Sequence, residues 1–230
     1  MPEEPKVDRR VKGSTDHAYR SLKEMAIRYE LRPGDKINEV AIAQKLNLSR
    51  TPVREALNRL VVENLIEFET GRGFVARRLD LEEILQLYEL RIALETAAFR
   101  LSCERAKIED VDALETSWTD ATGENYENMT HEEIAAADED FHRSLTQLSQ
   151  NDEIVAVLDR IMAQIRFCRL IDLEVNSHKE VLYSEHIAIL DHLRKREVDA
   201  GVEVISKHIH VSHENALSVI KEGIARIYMP

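Results

Sequence analysis

Proline and ordered-turn glycine cluster in the first third of this 230-residue chain, and that distribution limits what the remainder can fold into. Pro33-Gly34, Pro52 and Gly71-Arg72-Gly73 all precede residue 74. Beyond Gly73 no proline occurs until Pro230, and the glycines are Gly123, Gly201 and Gly223. Proline removes a helical N–H and clashes with the preceding turn, and glycine adds backbone entropy that a helix must suppress. A 150-residue stretch nearly free of both, with apolar residues at i, i+3 and i+4 spacing, predicts an all-helical domain. The expected helices run over 81–104, 108–126, 131–149, 153–174, 180–195 and 198–226. Asp80-x-x-Glu83, Thr130-x-x-Glu133 and Ser177-x-x-Glu180 supply start signals of the capping-box type.

The first third reads differently. Tyr19, Leu22, Met25/Ala26 and Tyr29 give one helix, stopped by the turn Leu31-Arg32-Pro33-Gly34-Asp35. Val40, Ala43 and Leu46 mark a short second helix. A third spans about Arg50 to Glu63, with Val53, Leu57, Leu60 and Val61 inward. Ser49 or Thr51 is placed to cap it, Pro52 is tolerated in its first turn, and Asn64 is a left-handed stop. Ile66–Glu69 and Phe74–Arg77 flank Thr70-Gly71-Arg72-Gly73 as a hairpin. Three helices and a hairpin make a winged helix-turn-helix. The expected fold is therefore mainly α: a charged, mobile tail at 1–13, a winged helix-turn-helix at 14–78, and an antiparallel helical bundle at 79–230.

Charge follows the same division. Residues 1–80 hold 16 Lys/Arg against 13 Asp/Glu, a net +3, while the remaining 150 hold 15 against 30, a net −15. A mildly basic head on an acidic body suits one module that meets phosphate and one that avoids it. No segment approaches the ~18 uninterrupted apolar residues of a spanning helix, and MPEEPKVDRRVKGST lacks the apolar run of a secretory signal. Cys103 and Cys168 are too few for a disulfide framework. A cytoplasmic protein without a membrane partner is expected.

On the third helix Arg50, Arg54 and Asn58 recur every four residues opposite the apolar stripe, with Thr51 beside them. Such a helix enters a major groove by its N-terminal end, where arginine grips guanine O6 and N7 and other cations neutralise phosphate. Arg72, between Gly71 and Gly73, is placed to reach a minor groove or backbone. Taken singly, two arginines on a helix are equally a solvated face. The whole string narrows this: Leu31-Arg32-Pro33-Gly34-Asp35, then Leu48-Ser49-Arg50-Thr51-Pro52-Val53-Arg54-Glu55-Ala56-Leu57, then Gly71-Arg72-Gly73-Phe74-Val75 closely resembles the DNA-binding domain of GntR-family regulators over about residues 14–78. That resemblance implies operator contact by Arg50, Thr51 and Arg54, with the Gly71–Gly73 wing alongside. Asn64 departs from the family's common glycine.

In the acidic body, Asp138 interrupts the stripe Ile134, Phe141, Leu145 and Leu148, and His142 lies one turn later. His186 shares a face with Leu182, Ile189 and Leu193, and His208 shares one with Ile205 and Val211. A carboxylate in an apolar stripe is costly to desolvate unless paired or metal-bound. Each histidine alone reads as a hydrogen-bonded core imidazole; the set of four suits a divalent transition ion, zinc foremost, with nickel, iron or manganese as alternatives. The other six histidines are expected to be solvated.

Asp138-Glu139-Asp140-Phe141-His142-Arg143, Glu185-His186-x-x-Ile189-Leu190 and Lys207-His208-Ile209 resemble signature segments of the FCD effector domain, which marks the FadR-type branch of that family. The resemblance implies an α-helical bundle with Asp138, His142, His186 and His208 as metal ligands. An octahedral ion so held keeps two positions for a small organic acid. Arg91, in Glu89-Leu90-Arg91-Ile92-Ala93-Leu94-Glu95, reads either as an effector-binding group or as an i,i+4 partner of Glu95.

The function expected from all of this is a homodimeric repressor on a palindromic operator, released by the acid. A metal-dependent hydrolase or oxygenase using the same His/Asp set is the competing class. Against it stand the DNA-reading module and the lack of a carboxylate or histidine marked out as general base. A purely structural metal is the third reading.

Overall fold

The structure of the protein, a computed structural model, describes residues 9–123, 126–176 and 179–228. It divides into two compact units, Met1–Leu79 and Asp80–Pro230. Of the expected tail, residues 1–8 lie outside the described residues and the remainder is helical from Arg9.

The first unit contains α1 (Arg9–Ile27), α2 (Glu39–Lys45), α3 (Arg50–Val62) and a hairpin of β1 (Ile66–Glu69) and β2 (Gly73–Ala76). Asn38 starts α2, its side-chain oxygen accepting from the N–H groups of Val40 and Ala41 at 3.0 and 3.1 Å. Ser49 stands at the N-cap of α3 without a side-chain bond. Asn47 and Asn64, at φ 54° and 58°, take the left-handed positions on either side of that helix. Leu22, Val53, Leu57 and Leu60 are fully buried where α1 packs on α3. Glu63 fastens the same pair, accepting from Tyr19 Oη at 2.6 Å and Lys23 Nζ at 2.9 Å.

The strands pair antiparallel, Ile66 opposite Ala76 and Glu69 opposite Gly73. Their turn closes from Arg72 N–H to Glu69 O at 3.1 Å, and Gly71 holds the left-handed third position at φ 85°. The segment after Pro33, expected only as a turn, also pairs with the wing. Gly34 N–H donates to Ala76 O and Ile37 N–H to Phe74 O, both at 2.8 Å.

The second unit is helical: α4 (Leu81–Arg105), α5 (Ile108–Thr122), a 3-10 turn at Tyr126–Asn128, α6 (His131–Gln147), α7 (Asp152–Asn176), α8 (Lys179–Lys195) and α9 (Val198–Tyr228). Two of the expected start signals form. Asp80 Oδ1 accepts from Glu83 N–H at 3.0 Å, and Thr130 and Glu133 complete a reciprocal capping box. The third, at Ser177, lies outside the described residues. α5 ends at Thr122, four residues earlier than expected, with Gly123 as its cap. α4 packs along α9, α6 along α7, and α8 against α9, so residues on α4, α6, α7, α8 and α9 reach a shared interior.

That interior is unusually polar. Arg91, Glu95, Asp138, His142, Arg169, His186 and His208 are all buried in it. Charged groups withdrawn from water this far must be paired with one another or with an ion.

Candidate nucleic-acid interface and metal centre

α3 presents Arg50, Thr51, Arg54 and Asn58 to solvent and buries Pro52, Val53, Ala56, Leu57 and Leu60. The exposed four share a shallow concavity with Glu39 and Glu55. Among the described residues, Arg50 and Arg54 form no ion pair. Arg59, on the same helix, is bound by Asp16 at 3.1 Å and stacks over the Tyr19 ring at 3.8 Å. The helix thus separates two free cations from one committed to holding α1. Arg72 on the wing is exposed, but it is not the loose side chain its two glycines suggested. It donates to Glu69 Oε2 at 2.6 Å and to Gly34 O at 3.0 Å.

In the second unit Asp138 and His142 project from α6, His186 from α8 and His208 from α9. The structure brings one donor atom from each within 4.8 Å of the others. His142 Nε2 lies 3.1 Å from His208 Nε2, and His186 Nε2 lies 3.3 Å from it. Asp138 Oδ1 is 3.7 Å from His142 Nε2 and 3.5 Å from His186 Nε2. Donors each about 2.0–2.2 Å from one ion would be spaced by about 3–3.6 Å, and these four spacings lie in or close to that range.

The hydrogen bonds around it point the same way. Glu95 Oε2 sits 2.5 Å from His142 Nδ1, and Glu185 Oε2 sits 2.7 Å from His208 Nδ1. An ionised carboxylate can only accept, so each Nδ1 carries a proton and each Nε2 turns a bare lone pair inward. Lone pairs facing at 3.1 Å repel one another unless a cation lies between them. Asp138 Oδ1 is buried with no hydrogen-bond partner, while Oδ2 accepts from Arg169. Two imidazoles oriented by carboxylates, a third with its Nε2 turned to the same point and one orphaned carboxylate oxygen fit a divalent transition ion.

Electrostatics keep the donors in the form an ion needs. Burial, and then the neighbouring His208, hold His186 well below the ordinary histidine range; burial lowers His142 as well. Burial works against ionising Asp138, but the Arg169 guanidinium beside it outweighs that and holds the carboxyl well below its usual range. Glu95 is likewise pulled down, to about 2, by His142 and Arg91 against the cost of burial.

A cavity of about 350 Å³ is lined by both Asp138 and His208 of this cluster and by Arg91 and Arg169. Arg91 forms the i,i+4 pair that was one of its two alternatives. Its Nε donates to Glu95 Oε1 at 2.6 Å, and its Nη2 is buried without a partner.

Sequence reasoning missed three members of this neighbourhood. Arg169 had the same signal that exposed Asp138, a charge within the stripe Leu158, Ile161, Ile165 and Cys168. Glu95 was seen only as a partner for Arg91, although it also holds His142. Glu185 carries no local signal, because its partner His208 is 23 residues away. Two carboxylates therefore do stand beside the site, but both are engaged by imidazole Nδ1 atoms. Of the other histidines, His178 lies outside the described residues. His213 is not simply solvated, since it stacks on His210 at 5.2 Å and meets the Tyr88 ring edge-on at 6.5 Å.

A winged helix-turn-helix followed by this helical domain defines a DNA-binding transcription regulator, not an enzyme. Residues 14–75 match the family of bacterial regulatory proteins, gntR family, and residues 86–211 match the FCD domain. The chain belongs to the GntR family of transcriptional regulators, in the group that carries an FCD domain.

It is 36% identical over 206 residues to the Nta operon transcriptional regulator of Aminobacter aminovorans, spanning 89% of this chain and 95% of that one. It is 24% identical over 205 residues to the HTH-type transcriptional repressor RspR of Escherichia coli (strain K12), spanning 89% and 90%. Among solved structures, a putative GntR transcriptional regulator from Rhodococcus sp. RHA1 superposes with a TM-score of 0.71 at 22% identity, over 90% of this chain and 98% of that one. E. coli McbR/YncC superposes at 0.69 and 18% identity, over 94% and 97%. These two share the fold. Among the described residues no helix is long and apolar enough to cross a membrane.

Proposed function

We propose that the chain is a metal-dependent, ligand-responsive repressor of the cytoplasm, released from a palindromic operator by a small organic acid. The observation that carries this reading is the convergence of Asp138, His142, His186 and His208 on one point beside a cavity lined by Arg91, whose Nη2 has no partner. A divalent ion, zinc foremost, held by these four residues would supply a Lewis-acidic position for a carboxylate oxygen. Arg91 and Arg169 add the complementary charge. The ligand acts only if it prefers one pose of the DNA-binding heads over the other.

On the DNA side Arg50, Thr51, Arg54 and Asn58 face the bases, and the Gly71-Arg72-Gly73 wing meets the flanking groove. The free guanidinium groups of Arg50 and Arg54 support this. A homodimer supplies the second recognition helix, and exposed Val175, Leu217, Ile224 and Tyr228 in the second unit are apolar surface for such an association.

The test uses the full chain. Arg54→Ala should lower operator affinity roughly tenfold or more while leaving metal content, read by native mass spectrometry, unchanged. Unaltered operator binding would sink the recognition-helix assignment. A chain purified without metal, and unable to take up zinc, would sink the metal reading. Because the donors tie α6, α8 and α9 together, a purely structural ion is the second reading. It predicts that chelation unfolds the second unit while organic acids leave operator affinity untouched.

A further inference from the structure

We infer that the effector is an amphiphilic monocarboxylate, with one anionic head against Arg91 and Arg169 and an apolar body along Leu173, Val181, Leu182 and Val211. This rests on the reading of the cavity as the effector site and adds the chemical class it takes.

The head group follows from two buried arginines. Arg91 is 2% exposed, and its Nη2 has no partner although Nε is tied to Glu95. A buried, unpaired guanidinium nitrogen is costly, and a carboxylate oxygen delivered from the cavity satisfies it. Arg169 is 6% exposed and lines the same cavity. One of its terminal nitrogens is bound to Asp138, and the other meets only the sulfur of Met162 at 3.9 Å. It therefore has donor capacity to spare, and both arginines are fixed before a ligand arrives.

The body follows from the remaining lining and the charge balance. Leu173, Val181, Leu182 and Val211 are the aliphatic side chains of the lining, and Val181 and Val211 are exposed. Around the cavity and cluster stand the cations Arg91, Arg169 and Lys207 and the carboxylates Glu95, Asp138, Asp172 and Glu185. One carboxylate head takes up the spare donors of Arg91 and Arg169, whereas a second carboxylate on the ligand would have to lie near Asp172 or Glu185 of the same lining. The volume, about 350 Å³, falls in the range of small-molecule sites.

The experiment titrates zinc-loaded full-length protein with acetate, butyrate, hexanoate, adipate and hexanamide, reading calorimetric binding and operator affinity. Affinity should rise about fourfold for each buried methylene from acetate to hexanoate. Adipate and hexanamide should bind at least tenfold more weakly than hexanoate. Val211→Asn, which adds no charge at an exposed position, should flatten the chain-length dependence from acetate to hexanoate. Adipate binding as tightly as hexanoate, or acetate equal to hexanoate, overturns the monocarboxylate inference while the acid-responsive site stands. Failure of every carboxylate to bind, or binding equal with and without zinc, overturns the underlying site reading as well.

Discussion

Glu185 illustrates how much of the cluster depends on single side chains that do not belong to the donor set. Its carboxylate holds His208 Nδ1 at 2.7 Å and so decides which ring nitrogen faces the other donors. Glu185→Gln removes the charge and half of the acceptor capacity, and it should weaken zinc binding about 10- to 100-fold without unfolding the unit, since the residue is only partly buried. Trp118 provides the measurement. It is the single tryptophan of the chain, and its ring meets His186 edge-on at 4.4 Å, so its fluorescence should report zinc titration in both proteins. An unchanged zinc affinity in Glu185→Gln would show that His208 keeps its tautomer unaided. At this scale Asp138 was legible in the sequence because a carboxylate interrupts an apolar stripe. Arg169 was legible by the same rule, whereas the pairing of Glu185 with His208 depends on where α8 and α9 meet.

Elements were more readable than their contacts. The helix starts at Asp80 and Thr130 followed from local capping chemistry, which operates within one turn and needs no tertiary partner. The pairing of the 34–37 segment with β2 escaped notice because a strand so short has no periodicity to detect. Gly201 is a case in which an element's residue is explained only by its neighbour. It lies on α9 where α4 passes, and a Cβ there would stand 2.2 Å from Cζ of Phe99. Gly201→Ala should therefore cost about 1–3 kcal/mol by overpacking, against a helix-propensity gain of up to about 1 kcal/mol. Gly13→Ala on α1 meets nothing within 4 Å and should stabilise by about 0.4–1 kcal/mol. Thermal unfolding of the two variants should move in opposite directions, and a stabilised Gly201→Ala would contradict the close approach of α4 and α9.

For the molecule as a whole, the buried polar interior sets a pH dependence with a definite sign. In the folded chain His142 and His186 titrate below their ordinary value of 6.5, and Glu95 is lowered from 4.5 to about 2. The unfolded chain thus binds more protons than the folded one once the pH falls below about 6.5, and again below about 4.5. Stability of the second unit should fall as the medium is acidified from pH 7.5 to 5, by about 1.4 kcal/mol for each pKa unit of depression. Denaturant unfolding with chelator present measures this directly. A midpoint that holds or rises on acidification would contradict the buried, neutral imidazoles.

The sequence by itself determined the division into a mildly basic head and an acidic helical body, the type and order of nearly every element, and the identity of four unusual polar residues in apolar stripes. These are local properties: periodicity, capping, turn chemistry and composition act over a few residues and survive without a fold. Only the tertiary structure decided that Asp138, His142, His186 and His208 meet at one point, that Glu95 and Glu185 orient two of the imidazoles, and that Arg91 and Arg169 look into one cavity. Those facts depend on how α4, α6, α7, α8 and α9 pack, and packing joins residues more than a hundred positions apart, such as Tyr88 and His213, through contacts that leave no periodic trace in the chain.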